Sequence, residues 1–457
     1  IIARISAALA GLIIARSAGP AAFGVYAAVW ALIGMGVGFS EIGLTIGLKR
    51  DGARLPRLLP SLLGNALIVK AMLGICALVI AYFSLSLISR SVKAPMLFLP
   101  LALAGFSTIC TEPFYAALQV KGQQKLISFL MMGRGLLFLL GIVVLASFGF
   151  DIMTLAWYQG LLYFTAFIVL CFLTIPIVSI AVNFSNVFNQ IKSSLVFGIS
   201  GILFSGYSQL PILFLSHFRS EEEVGFFAVA FRLVSLCLLA GSAASNDAFL
   251  PSLFGMYKAN RKKFLQICVS MQRLFVPLGI FIASALYICS DAIIIILQGE
   301  QYLPAAKILR IMCWAAAIFY GVLASGAALT AGDRMWIKVA FQAIVIIITL
   351  GIGSIIIKHY GAFGASYLLI IIWLLLMFFY IPYAFRKKLI SFSGFERLLT
   401  PIGLTILLTI LTFNAIPNHY LLGPAIFFIG SLFIWGKTGI KVWKKFTLRP
   451  NTGYDQR

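Results

Sequence analysis

Long apolar runs, separated by short polar and usually basic connectors, recur along the whole chain. A helix that crosses a bilayer needs ~20 apolar residues, whereas a membrane strand alternates apolar and polar positions over about 10. Runs such as Ala340 to Ile357 do not alternate, so the spans are helices. The pattern predicts fourteen of them, at 1–15, 22–44, 59–84, 95–118, 126–148 and 152–178, then 194–217, 224–250, 265–290, 304–330, 337–357 and 363–385, and finally 398–416 and 421–436. No connector has room for a folded domain outside the bilayer. The sequence opens at Ile1 inside an apolar run, so the first span is expected to begin upstream.

The second and eighth runs resemble each other. Ala22-Phe23-Gly24-Val25-Tyr26-Ala27, continuing to Leu32, matches Glu223-Val224-Gly225-Phe226-Phe227-Ala228, continuing to Leu233, at an offset of 201. Ala116-Ala117-Leu118 with Gly122 is echoed by Ala327-Ala328-Leu329 with Gly332. Six helices return the chain to its starting side, so a duplication of this period gives two parallel repeats related by an axis along the membrane normal. The expected organisation is an all-α polytopic protein with a six-helix bundle over 1–182, a second over 183–390, two additional helices over 391–436 and a basic tail over 437–457.

Composition agrees with this pattern. The chain is 61% hydrophobic and 11% charged, against about 45–50% and ~25% for soluble domains, which excludes a water-soluble globule. The formal charge of +22 would suggest nucleic acid in a soluble domain. Here it is a topology signal: the even-numbered connectors and the tail carry 23 Lys and Arg, while the odd connectors carry only Arg16, Arg90, Lys93, Arg219 and Lys358. Such a bias over short loops predicts that both termini are cytoplasmic. The basic loops then contact anionic membrane lipid, and no nucleic-acid partner is expected. The seven cysteines lack CxxC or metal-ligand spacing and read as small core residues.

Apart from Lys338 at the very start of its span, seven cations fall inside the spans: Arg4, Lys70, Arg134, Arg232, Arg273, Lys307 and Arg310. A basic residue near the bilayer centre costs ~2.5–3.5 kcal/mol on insertion scales, so these are expected to face a wet interior. Three belong to the first half and four to the second, which would put positive charge on both walls of a central cleft. Snorkelling to the interface is the competing reading, strongest for Arg232, Lys307 and Arg310 near helix ends. Gly133 and Gly135 flank Arg134 and would let a backbone or ligand come close. Glu41, Glu112 and Asp247 are the carboxylates in or beside spans, able to carry a coupling H⁺ or Na⁺ or to neutralise an arginine. Tyr207, Gln209 and Pro211 make the seventh helix polar at its middle, as a bent gating helix or a hydrogen-bonded interface would be. No GxxxxGK[ST] loop and no metal-ligand cluster is present, so neither a bound cofactor nor transport driven by the chain's own ATP hydrolysis is expected. A cationic interior favours an anionic cargo.

Ala15-Arg16-Ser17-Ala18-Gly19-Pro20-Ala21-Ala22-Phe23-Gly24-Val25-Tyr26 resembles the A-R-x-x-G-P-x-x-F-G-x-Y signature of Wzx-type oligosaccharide flippases. Ser40-Glu41-Ile42-Gly43-Leu44 is similar to that family's S-[DE]-x-G-L. Leu297-Gln298-Gly299-Glu300-Gln301-Tyr302 with Leu309-Arg310, and Gly361-Ala362-Phe363-Gly364-Ala365, resemble its approaches to the tenth and twelfth helices. The resemblance implies the two-bundle fold of multidrug (MATE-type), oligosaccharidyl-lipid and polysaccharide exporters. It also implies a cargo, a polyprenyl-diphosphate-linked oligosaccharide such as an O-antigen (lipopolysaccharide), capsule or exopolysaccharide repeat unit, carried across the bacterial inner membrane by alternating access. A polysaccharide polymerase and a chain-length regulator are the implied partners. No quoted motif matches the family's cavity arginines to positions here, so the seven cations above rest on burial and charge. Competing functions are a lipid II flippase, a drug or cation antiporter and, in another class, a membrane glycan polymerase or ligase. The short outer connectors disfavour the last.

Overall fold

The computed structural model describes residues 2–88, 91–183, 187–391 and 396–415, with positions 427, 430 and 431. The fourteenth predicted helix and the basic tail lie outside the described residues, apart from those three positions. Among the described residues there is no strand, and ten helices are long and apolar enough to cross a membrane.

The first half comprises α1 (Ile2–Ala18), α2 (Pro20–Ser40), α3 (Leu44–Arg54), α4 (Leu59–Ile88), α5 (Ala94–Val120), α6 (Gln124–Ser147) and α7 (Ile152–Thr174). The second comprises α8 (Val187–Phe218), α9 (Glu221–Ala243), α10 (Leu250–Ala259), α11 (Arg261–Ile288), α12 (Ser290–Gln298), α13 (Leu303–Ala331) and α14 (Met335–Arg386); α15 (Glu396–Ala415) follows. Below, the side on which α3, α10 and the α5–α6 and α13–α14 connectors lie is called the basic face and the opposite side, with Glu221–Glu223, the acidic face.

Local chemistry sets the boundaries. Gly19, at φ +80°, turns the chain and Pro20 starts α2 with its φ already helical. Asp151 caps α7 by accepting from the Thr154 amide at 3.0 Å, and Ser220 caps α9 ahead of three glutamates that complement its helix dipole. The 52 residues of α14 are two legs: Gly361, at φ +56°, folds the chain back. Gly353 then packs on Leu368, and Gly364 abuts the Ile356 carbonyl, where a Cβ would not fit. These legs are the predicted eleventh and twelfth helices.

Three segments read as connectors are helical. α3 is a short basic helix after a left-handed Gly43 at φ +86°, α10 continues α9 through a π turn at Ala244–Phe249, and α12 precedes α13 on the acidic face. α8 begins seven residues earlier than expected and runs through Pro211 without a break.

The halves repeat each other's packing: α1 lies on α6 as α8 lies on α14, and α5 lies on α7 as α13 lies on α14. One apolar core runs through both halves, and a smaller one around Leu48, Leu63, Phe114 and Leu118 fills the basic end of the first half. Large side chains such as Phe83, Phe129, Phe172, Ile347 and Phe378 point outward, as a lipid-facing belt requires.

Candidate transport site between the two halves

The halves meet where α2 crosses α8 and α9. Toward the acidic face the crossing is backbone on backbone. A Cβ on Gly24 would overlap the Glu221 carbonyl oxygen, and one on Gly225 would overlap the Pro20 carbonyl oxygen. Both pairs are equivalent under the 201-residue offset, so the repeat read in the sequence is the contact across the halves. Small residues allow this approach in a membrane. Carbonyls in the last two turns of α1 accept from the second half: Tyr302 Oη donates to Ala15 at 2.8 Å, Gln298 Nε2 to Leu12 at 3.0 Å and Gln301 Nε2 to Arg16 at 3.1 Å. A cavity of about 610 Å³ opens beside this seam, bordered by Ala28, Ser91, His217 and Glu221.

Toward the basic face the seam is an elbow docked on a helix. Gly43 and Gly47 lie against Ser194 and Gly198 of α8, and Gly38 lies against Ser205. Ser205 Oγ donates to the Gly34 carbonyl at 3.2 Å. The polar middle of α8 therefore serves contacts: Gln209 sits beside Gly34, and buried Tyr207 packs edge-on against Trp373.

Between the two seams lies a cluster holding one predicted cation from each half. Arg232 of α9 reaches across to α1 and α2, where its guanidinium occupies the space left by the missing side chain of Gly11 and sits 5.7 Å from the Phe23 ring. It lies beside Tyr26, whose hydroxyl donates to Gln159 Oε1 at 2.5 Å. Among the described residues Arg232 Nη1 is buried with no hydrogen-bond partner. Arg134 of α6 stands over the Tyr163 ring at 4.6 Å, and Tyr163 in turn neighbours Tyr26. Of the glycines flanking Arg134, Gly135 receives the backbone of Ala3, while Gly133 faces open space. Neither arginine forms an ion pair with a carboxylate among the described residues. Aromatic faces hold them at ~0.5–2 kcal/mol each and leave guanidinium N–H groups for a ligand.

The other predicted residues do not join this cluster. Lys70 is fully buried and ion-paired to both Glu41 and Glu112, with Thr45 Oγ1 at 3.0 Å. This group sits two to three turns in from the basic ends of α4 and α5, next to the Gly43 elbow, and both carboxylates are partly exposed. Arg310 is occupied by Asp291, with Nε also donating to Ser290 Oγ at 2.8 Å. Lys307 borders a separate cavity on the acidic face. Arg4 is exposed on α1, and Arg273 is half-buried on α11. Asp247 lies in the π turn, and its side chain is outside the described residues.

Gly11, Gln159 and Tyr163 were not singled out from the sequence, and Tyr26 entered only as the last residue of the Ala15–Tyr26 signature and within the internal repeat. Gln159 carried a signal, as an amide in an otherwise apolar run. Gly11 carried none, because a glycine in an apolar helix does not announce what fills its space.

Two pseudo-equivalent helical halves, packed across a seam of small residues on α2, α8 and α9, define a multi-pass membrane protein with the fold of MATE-type transporters. Solved structures share it. The chain is similar to the lipid II flippase MurJ in an inward closed conformation, with a TM-score of 0.75, 12% identity and 98% of each chain covered. It is also similar to the Vibrio cholerae MATE transporter VcmN in its bent form, with a TM-score of 0.58 and 16% identity over 85% of this chain and 94% of that one. An outward-facing multidrug resistance MATE transporter of the MOP superfamily matches at 0.58, with 13% identity over 85% and 95%. No curated protein sequence matches. A family model described as polysaccharide biosynthesis protein matches residues 13–307, and the chain belongs to that family.

Proposed function

We propose that the protein is a flippase that moves a polyprenyl-diphosphate-linked oligosaccharide, the repeat unit of an O-antigen, capsule or exopolysaccharide, from the inner to the outer leaflet of the bacterial inner membrane. The observation that carries this reading is the placement of Arg134 and Arg232, one from each half, at either end of the Tyr163–Tyr26 pair, with Gln159 beside it. A diphosphate presents several charged acceptor oxygens, and guanidinium groups match them with paired N–H donors. Aromatic and amide groups beside them suit a sugar, while the prenyl chain remains in lipid. Family membership supports the polysaccharide context.

In this reading the basic face is cytoplasmic, and the two halves rock about the seams to expose the cluster to one side at a time. A lone diphosphate in a dry seam would be costly, so charge neutralisation by both halves favours closure around the cargo. A bias is supplied by H⁺ or Na⁺ exchange, which the Glu41–Lys70–Glu112 group is placed to accept, or by consumption of the product outside by a polymerase with its chain-length regulator.

The test is flipping of a fluorescent short-chain polyprenyl-diphosphate oligosaccharide in proteoliposomes. A charged hydrogen bond is worth ~1.5–3 kcal/mol, so R134Q with R232Q should slow flipping by about tenfold or more at unchanged protein level. A wild-type rate in the double variant would overturn the assignment. Comparing glycan cargoes with a lipid II analogue in the same assay separates a polysaccharide repeat unit from a peptidoglycan precursor.

A further inference from the structure

The acidic face carries few cations, yet they gather at one place. Of the five cations in the odd connectors, Arg219 and Lys358 meet there, joined by Lys307 and His359. A cavity of about 530 Å³ opens among Arg219, Glu223, Lys307 and His359, with Phe226 and Phe363 on its walls. Its size falls in the ~300–1,000 Å³ range of small-ligand sites.

Two of the charges already have structural work. Arg219 Nη2 donates to the Lys358 and His359 carbonyls at 3.0 Å each. Glu223 accepts from the Ala362 amide at 3.3 Å, at the start of the second leg of α14. Together they clamp the Gly361 turn, and their opposite charges offset. Lys307 makes no ion pair among the described residues and is exposed at the cavity edge. Beside it Tyr360, Leu303 and Phe363 present exposed apolar surface, which continues the cavity toward the lipid belt. A cation at the rim of an apolar wall at the membrane boundary fits an anion that carries its own hydrocarbon chain.

We infer that this cavity is a second, acidic-face site for the diphosphate of a prenyl-linked lipid, with Lys307 and His359 as its phosphate contacts and the Leu303–Phe363 wall as the path of the first isoprene units. The assignment rests on the flippase reading, in which the acidic face is the outer one, and it adds a station where arriving cargo is held before release. Oligosaccharide bulk lies outside the cavity, so the site reads the shared diphosphate and not the glycan.

The probe is farnesyl diphosphate bearing a photoreactive diazirine, applied to the purified full-length protein carrying R134Q and R232Q, so that the seam cluster contributes little. Adducts mapped by mass spectrometry are expected within residues 303–308 and 359–363. Adding K307Q and H359Q should reduce labelling there by about tenfold, the worth of one charged hydrogen bond, while thermal melting stays unchanged. Equal labelling with and without K307Q and H359Q overturns the site. Protection by inorganic pyrophosphate as effective as by unlabelled farnesyl diphosphate would indicate a free-phosphate site, and equal protection by dioctanoyl phosphatidylglycerol a bilayer-lipid site; either result overturns the prenyl assignment. Labelling that persists while R134Q and R232Q leave flipping at the wild-type rate sinks the seam reading but not this cavity.

Discussion

The two seams close the same interface by different means. On the acidic side, main chain meets main chain at Gly24 and Gly225, and three side chains of the second half donate to carbonyls in the last two turns of α1. On the basic side, glycines of the α2–α3 elbow lie on α8, but the strongest polar interactions nearby, Lys70 with Glu41 and Glu112, stay inside the first half. Parting the acidic seam breaks hydrogen bonds between the halves. Parting the basic one breaks the longer bonds from Ser205 Oγ to the Gly34 carbonyl and from Gln190 Nε2 to the Leu62 carbonyl, at 3.2 and 3.4 Å, and separates small residues, while the ion group keeps the elbow in shape for re-docking. With fewer and longer bonds between the halves, the basic seam should part at lower cost.

The largest effect is expected from Lys70→Met. Removing one partner of a buried ion group leaves uncompensated charge and typically costs ~3–5 kcal/mol. Yield and detergent melting temperature should fall sharply, and spin labels across the basic face should report a widened, heterogeneous distance. Adding E41Q and E112Q should recover most of the loss. A variant that melts like wild type would remove the ion group from any role in shaping the elbow.

Gly225→Leu tests the opposite seam. A leucine has no space against the Pro20 carbonyl, and overpacking typically costs ~1–3 kcal/mol. Acidic-face spin-label distances should lengthen while basic-face distances hold. If the basic face moves instead, the two seams are not mechanically separate.

The smallest effect is a reference outside both seams. Asp151 has its carboxyl held below the ordinary aspartate range by the Thr154 hydroxyl and amide. A lowered native pKa stabilises above the unfolded-state value and is lost as pH falls through the native one, so wild type should lose its advantage over Asp151→Ala on acidification toward pH 3. At neutral pH the lost cap is worth ~1 kcal/mol or less at this exposed position, read as a small drop in melting temperature with both seam distances unchanged.

The spans were legible because a bilayer imposes length and apolarity on every crossing helix, and even the fold-back at Gly361 lay in the gap between the predicted eleventh and twelfth helices. The duplication was legible for a stronger reason: Gly24 and Gly225 occur at matching positions because each is the other's contact. The elbow helix α3 was not, since a short basic helix beside a membrane has the composition of a loop. Side-chain partnerships were least accessible. Lys70 lies 29 and 42 positions from its two carboxylates, and periodicity along a helix says which face a residue occupies but not which helix stands opposite. Arg232 drew the snorkelling alternative for its place near a helix end, yet it turns inward into space that only the missing side chain of Gly11 provides.

The Gly24–Gly225 crossing obeys a rule usually met between separate subunits. Pro20 touches Gly225 while Glu221 touches Gly24, so each partner uses the same patch, as identical protomers do about a dyad. The covalent link between the halves thus preserves an isologous dimer interface, and whatever loosens one copy of that patch loosens its rotational counterpart in the same step.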